Sequence, residues 1–71
     1  MKTTAVHLIT GFEEIEAISI IDVLRRANVN VKIVSMTKEK SVKGSHNVSI
    51  ESDIMFEDVD YSEIDMIILP G

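Results

Sequence analysis

The 71-residue sequence contains no cysteine, and this absence excludes several kinds of chemistry from the chain itself. Without cysteine there is no disulfide, no thiolate ligand for a metal and no thiol nucleophile among these residues. Positive charge is also scarce, because seven Lys and Arg stand against twelve Asp and Glu, for a net charge of −5. Since phosphate binding needs a basic surface, this balance argues against a nucleic-acid partner.

Long apolar runs are missing as well. The apolar run near the N-terminus covers only residues 5–9, which is too short for a secretory signal and far too short to span a membrane. We therefore expect a cytoplasmic protein without a membrane partner. The length allows at most one small domain, and a chain of this size is only marginally stable on its own.

The remaining residues follow the pattern of an α/β protein. Residues 4–10 are apolar, which is typical of a strand buried on both faces of a parallel sheet. Residues 13–27 predict a helix with acidic residues in its first turn and Arg25 and Arg26 in its last, as the helix dipole favours. Residues 29–36 predict the next strand, and the succession predicts a right-handed βαβ unit.

The second half of the sequence predicts a hairpin and a third core strand. Residues 44–47 form a polar tip, and the alternation around Val48 and Ile50 is typical of an exposed hairpin arm. Residues 65–71 predict a core strand that runs into a turn. Because domains rarely end beside a core strand, we expect residues 1–71 to be the N-terminal part of a single larger α/β domain, with the C-terminal remainder of the same protein as its partner.

The apolar residues of the predicted helix are not confined to one face. One set can pack on the sheet: Ile18, Ile21 and Leu24. A second set then faces elsewhere: Ala17, Ile20 and Val23. A helix that is apolar on two faces is buried on two faces. Either the remainder of the protein covers the second face, or the same helix of a second copy covers it and forms a homodimer through residues 13–27.

Three glutamates follow the first strand, namely Glu13, Glu14 and Glu16. Acidic residues in a first helical turn stabilise the helix by about 0.3–1 kcal/mol each through its dipole, so a structural role is sufficient to explain them. Their position also allows a function, because ligands of open α/β sheets bind at the carboxyl ends of the strands. There the loop around Gly11 and the turn at residues 69–71 should form the rim of one crevice.

Other kinds of site lack the residues that they require. Gly11 stands alone and is followed by carboxylates, whereas a dinucleotide site needs the G-x-G-x-x-G pattern, and a P-loop is absent too. A phosphoacceptor site needs an aspartate at the end of a later strand, and Leu69 and Pro70 occupy that position here. His7 and His46 have no third ligand at zinc spacing, and the acidic residues lack the spacing of an EF-hand. We expect neither a metal nor a cofactor.

Four segments in this order resemble the ThiJ/PfpI superfamily over the whole chain: GFEEIEA, DVLRRA, GSHNVSIESD and DMIILPG. The resemblance implies a flavodoxin-like three-layer sandwich with a mainly parallel sheet, in which a nucleophilic cysteine lies in the second half. It implies that Glu16 is the catalytic residue that approaches this cysteine and hydrogen-bonds its sulfur. It also implies that Gly71, with Gly11, contributes backbone to the pocket near an oxyanion, and that the protein dimerises through the first helix.

The resemblance further implies a cysteine-dependent enzyme of the glyoxalase or deglycase type, which acts on small reactive carbonyl compounds. Two alternatives stay open: a non-catalytic redox sensor or chaperone that uses the same cysteine, and a PfpI-type cysteine peptidase or amidase. The cysteine and any histidine partner lie beyond Gly71. This chain alone therefore carries half a site, and we do not expect it to be active without the remainder of the protein.

Overall fold

A computed structural model describes residues 2–71, which form a four-stranded sheet, one α-helix and a separate two-stranded hairpin. The elements are β1 (Thr3–Leu8), α1 (Glu14–Arg26), β2 (Asn30–Ser35), β3 (Ser41–Lys43), β4 (Ser49–Glu51), β5 (Ile54–Met55) and β6 (Met66–Ile68). Two short 3-10 turns, Phe56–Asp58 and Tyr61–Glu63, lie in the acidic connection before β6. No helix in the described part of the chain is long and apolar enough to cross a membrane.

The main sheet has the strand order β5-β2-β1-β6, and each neighbouring pair is parallel. Helix α1 connects the central strand β1 to its neighbour β2, which confirms the predicted α/β class and βαβ unit. Parallel strands bring their carboxyl ends to one edge of the sheet. The loop after β1 and the turn after β6 therefore start at the same edge, because these two strands are direct neighbours.

The strands are shorter than the sequence predicted. β1 ends at Leu8, and the chain then turns at Gly11, whose φ is 90°. β6 ends at Ile68, two residues before Pro70, which has no N–H to extend the ladder. The predicted hairpin is confirmed by the antiparallel pairing of β3 with β4. Strand β5 was not predicted, because two residues are too few to show a period.

The core lies between α1, one face of the sheet and the hairpin. Its buried apolar residues are Val6, Leu8, Phe12, Ala17, Ile21, Val31, Ile33 and Val42. Phe12, in the loop between β1 and α1, is among the largest fully buried side chains. The start of α1 is thus fixed by packing as well as by the backbone.

The face of α1 that meets the sheet differs from the prediction. Ala17 and Ile21 are buried against the sheet, whereas Ile18 is 46% exposed. Ile20 is half-buried, and Val23 is 62% exposed. The prediction that Ile18 faces the sheet and Ala17 faces away is therefore wrong. The residues that pack inward are Ala17 and Ile21, which are four positions apart and therefore lie on one side of the helix. Ala17 thus offers no surface to a partner, whereas Val23 does.

Candidate functional site

The loop after β1 and the turn after β6 meet at the start of α1, as the sequence predicted. The backbone N–H of Glu13 donates a hydrogen bond to the carbonyl oxygen of Gly71 at 2.6 Å. Glu13 is the residue before the helix, at the end where backbone donors have no partner within the helix. The hydrogen bond therefore ties the start of α1 to the turn after β6, at the edge of the sheet where the sequence predicted a crevice.

Glu16 lies in the same helical turn, with its carboxylate beside Gly71. A Cβ atom built on Gly71 would lie 3.5 Å from Oε2 and 3.7 Å from Oε1 of Glu16. Glu16 is exposed, and none of residues 2–71 makes a hydrogen bond or ion pair with its side chain. Its two oxygens are therefore able to accept a hydrogen bond from another group at this edge of the sheet.

Gly11 serves the loop rather than the crevice. Its φ of 90° lies in the region that glycine tolerates best, and its N–H donates to the carbonyl oxygen of Lys43 at 2.8 Å. Because this N–H is already bonded to the hairpin, it is not free to stabilise an oxyanion. Of the two glycines expected to supply pocket backbone, Gly71 lies against Glu16, and Gly11 holds the loop to β3.

Glu14 is buried, with only 5% of its surface exposed, and it binds the tip of the β3–β4 hairpin. Its Oε2 accepts the backbone N–H groups of His46 at 2.6 Å and Val48 at 3.3 Å. Its Oε1 accepts the hydroxyl of Ser45 at 3.3 Å and lies 3.1 Å from Nδ1 of His46. The sequence assigned Glu14 to the helix end alone, whereas the structure makes it the contact between helix and hairpin.

These contacts change the acidity of both partners. Burial by itself would raise the pKa of Glu14, because it disfavours the charged form. Hydrogen bonds from its own backbone N–H, from the backbone and side chain of His46 and from the N–H of Val48 outweigh burial and lower that pKa to about 2. The hydrogen bond to Glu14, and then the negative charges of Glu14 and Glu13, raise the pKa of His46. Glu14 is therefore a carboxylate at neutral pH and holds no proton to donate.

Comparison with known proteins shows which family this chain resembles. Residues 2–71 match the model of the DJ-1/PfpI family. The chain belongs to this family. The family match covers the segments in which the resemblance to the ThiJ/PfpI superfamily was seen, so that prediction is confirmed.

Three relatives illustrate the similarity. The chain is 34% identical to a cysteine-to-alanine mutant of the DJ-1 superfamily protein STM1931 from Salmonella typhimurium, with a TM-score of 0.94 over 100% of this chain and 38% of that one. It is 35% identical to oxidized DJ-1 from Toxoplasma gondii, with a TM-score of 0.95 over 100% of this chain and 39% of that one. It is 31% identical to deglycase TK1284 from Thermococcus kodakarensis, over 86% of this chain and 36% of the relative. The chain thus spans less than two fifths of each relative, and its α/β fold is that of these DJ-1 structures.

Within this DJ-1/PfpI chain, Gly44 allows the carboxylate of Glu14 to reach the hairpin. A Cβ atom built on Gly44 would lie 2.5 Å from both Cδ and Oε2 of Glu14, closer than side chains approach one another. The neighbouring N–H of Ser45 donates to the carbonyl oxygen of Phe12 at 2.9 Å. The hairpin tip therefore packs on both the loop and the first turn of α1.

One cluster has the composition of a metal site. Glu13, Glu14 and His46 each offer a ligand atom, and these atoms lie within 4.8 Å of one another. However, each oxygen of Glu14 already has two contacts within hydrogen-bonding distance, which occupies the roughly four lone-pair positions of a carboxylate. Hydrogen bonding to the hairpin is therefore sufficient to explain the cluster.

His7 belongs to the packing of the sheet, as the sequence predicted. It is buried on β1, and it lies on the face opposite to Val6 and Leu8 because side chains alternate along a strand. Its Nε2 lies 2.7 Å from the hydroxyl of Tyr61, and the two rings stack with their centroids 5.8 Å apart. Its Nδ1 is buried and has no hydrogen-bond partner among the described residues. His7 is therefore a partner of Tyr61 and does not join the crevice.

Proposed function

We propose that this chain supplies the active-site glutamate, Glu16, to a cysteine-dependent site that acts on small reactive carbonyl compounds by glyoxalase- or deglycase-like chemistry. The observation that carries the proposal is the open carboxylate of Glu16 against Gly71, at the carboxyl edge of a parallel sheet. The similarity to deglycase TK1284 supports this substrate class.

The proposed chemistry needs a thiol that this chain does not contain. We propose that the remainder of the same protein supplies it, and the Salmonella typhimurium relative, studied as a cysteine-to-alanine mutant, supports this choice of nucleophile. Glu16 takes the proton from the thiol, and the sulfur adds to the carbonyl carbon of the substrate. The carbonyl oxygen then receives the same proton from Glu16, so the step is balanced.

We also propose a homodimer through helix α1. The outer side of α1 carries exposed apolar side chains, among them Ile15, Ile18 and Val23. Val23 also lines an apolar groove, together with half-buried Ile20 and Leu24 and with Ile68 of β6. This surface supports the interface expected from the sequence at Ile20 and Val23, whereas Ala17 is buried against the sheet. The cytoplasmic location, and the lack of a nucleic-acid or membrane partner, stay predictions.

A second candidate function is a redox sensor or chaperone that uses the same cysteine without turning over a substrate. The observation that favours it is the similarity to a DJ-1 structure described as oxidized. The two functions differ in what Glu16 does. In the sensor, Glu16 sets how readily the thiolate is oxidised, and no carbonyl compound is consumed.

The test is methylglyoxal turnover by the complete protein, with Glu16→Gln compared against Glu57→Gln. Glu57 is also an exposed glutamate, but it lies in the 3-10 turn after β5 and away from Gly71. We expect Glu16→Gln to lower kcat by about 10²–10⁴-fold, as is usual for loss of a general acid–base group, and Glu57→Gln to leave it unchanged. Unchanged turnover in Glu16→Gln sinks the proposal. If the unmodified protein shows no turnover and Glu16→Gln changes how readily the cysteine is oxidised, the sensor is favoured.

A further inference from the structure

We infer that Glu14 is a positioning residue: it holds the first turn of α1 on the β3–β4 hairpin, and so keeps Glu16 in place beside Gly71. The inference rests on the proposed function of Glu16 for its effect on turnover. Its structural part, the placement of the Glu16 carboxylate, can be measured separately.

The first turn of α1 has few other supports. Glu13, the residue before the helix, makes no side-chain hydrogen bond to cap it. Apart from the packing of Phe12 and the hydrogen bond from the Ser45 N–H to its carbonyl oxygen, the turn is held by the bond from the Glu13 N–H to Gly71 on one side and by the carboxylate of Glu14 on the other. Glu14 and Glu16 are two residues apart, so their side chains leave the helix about 200° apart. The hairpin and the turn at Gly71 therefore lie on opposite sides of this helical turn.

The contact of Glu14 is specific for a carboxylate of this length. Its two oxygens face the backbone N–H groups of His46 and Val48 and the side chains of Ser45 and His46. In Glu14→Gln the volume is kept, but one oxygen becomes an NH₂ group that faces donors instead of accepting from them. A buried donor without an acceptor is costly, so the turn is expected to move until water or another acceptor reaches these groups.

Movement of the turn reaches Glu16 directly, because a helical turn moves as a unit. A shift of about 1 Å in a reacting group can lower a rate by about 10²-fold. The binding of a small carbonyl compound depends less on one carboxylate oxygen than its reaction does. Loss of the hairpin contact is therefore expected to lower kcat more than it changes KM.

Ser52 provides a matched control at the other end of the hairpin. It is buried, and its hydroxyl donates to the carbonyl oxygen of Lys40 at 2.8 Å. Ser52→Ala thus removes a buried hairpin hydrogen bond without touching α1. If Glu14 acts only through the stability of the hairpin, both variants should behave alike in a kinetic assay well below their melting temperatures.

The experiment compares kcat and KM for methylglyoxal in the complete protein and its variants Glu14→Gln, Ser52→Ala and Glu16→Gln. We expect Glu14→Gln to lower kcat about 10-fold or more with KM within about twofold, and Ser52→Ala to leave both unchanged. If Glu14→Gln keeps the kcat of the unmodified protein while Glu16→Gln loses it, the inference is overturned and the proposed function stands. Equal losses in Glu14→Gln and Ser52→Ala also overturn it.

A crystal structure of Glu14→Gln tests the inference even if Glu16 proves to be dispensable for turnover, in which case the proposed function fails on its own. We expect the Glu16 carboxylate to have left Gly71, and an unmoved carboxylate overturns the inference. Should Glu14→Gln not fold, Gly44→Ala replaces it, because its Cβ pushes the carboxylate off the hairpin while keeping the charge. Unchanged kcat in a folded Gly44→Ala protein likewise counts against the inference.

Discussion

The carboxylate of Glu14 and the His46 residue at the hairpin tip are joined twice, once through the backbone and once through the imidazole. The N–H of His46 lies 2.6 Å from Oε2, and its Nδ1 lies 3.1 Å from Oε1. The contact makes the charged form of each residue more stable, since it lowers the pKa of Glu14 and raises the pKa of His46. A single contact between α1 and the hairpin should therefore weaken in acid, when Glu14 is protonated, and in base, when His46 is neutral.

The acid side of this dependence gives the first prediction. The pKa of Glu14 falls from 4.5 to about 2 on folding, so its contribution to stability is complete above pH 4.5 and is lost as the pH falls toward 2. We expect the free energy of unfolding of the complete protein to fall more steeply over this range than that of Glu14→Gln, which has no carboxylate to protonate. Urea unfolding at several pH values measures it. Parallel curves for the two proteins would contradict the assigned contact.

The conformation of Gly11 gives a second prediction. A Cβ atom at this position meets nothing within 4 Å, so any cost of Gly11→Ala comes from the backbone φ of 90° and not from a clash. We expect this substitution to lower the free energy of unfolding by about 1 kcal/mol or more. Gly71→Ala is the control, because its Cβ would make only an ordinary contact with Glu16. Equal stability of the two variants in urea unfolding would argue against strain at Gly11.

Much of the fold was predictable because its signals are local. The apolar runs of β1 and β2 and the charge pattern of α1 each lie within one segment, and together they indicated the βαβ unit. The position of Glu16 beside Gly71 followed from a topological rule, because both residues follow parallel strands that end at the same edge of the sheet.

The role of Glu14 was not predictable in this way. Two of the donors that it binds are backbone N–H groups, at His46 and Val48, which lie 32 and 34 residues away and have no sequence signature. The same applies to Gly44, which looks like an ordinary turn glycine until the carboxylate that packs on it is seen. The faces of α1 were misassigned because two apolar stripes overlap, and only contact with the sheet separates Ala17 from Ile18.

The position of the Glu16 carboxylate beside Gly71 gives a third prediction. Gly71→Val adds two methyl groups to a Cβ that would already lie 3.5 Å from Oε2, so a methyl group directed at Glu16 displaces its carboxylate. We expect kcat for methylglyoxal in the complete protein to fall by up to about 10²-fold, as a misplaced reacting group implies, with Gly71→Ala much closer to the unmodified protein. Similar kcat values for the valine and alanine variants would contradict the assigned place of Glu16.

The outer side of α1 gives the last prediction, which concerns the proposed homodimer. Val23 is 62% exposed and lines the apolar groove together with Ile20, Leu24 and Ile68. If a second copy covers this surface, Val23→Glu buries a charge without a partner in the interface, which costs far more than exposing it to water. Sedimentation of the complete protein should then show a dimer and the variant a monomer. Val48→Glu is the control, since Val48 is 46% exposed on the hairpin and away from α1's outer side, and should leave the mass unchanged. A Val23→Glu protein that stays dimeric at micromolar concentration would place the interface elsewhere, because a buried glutamate at its centre would dissociate it.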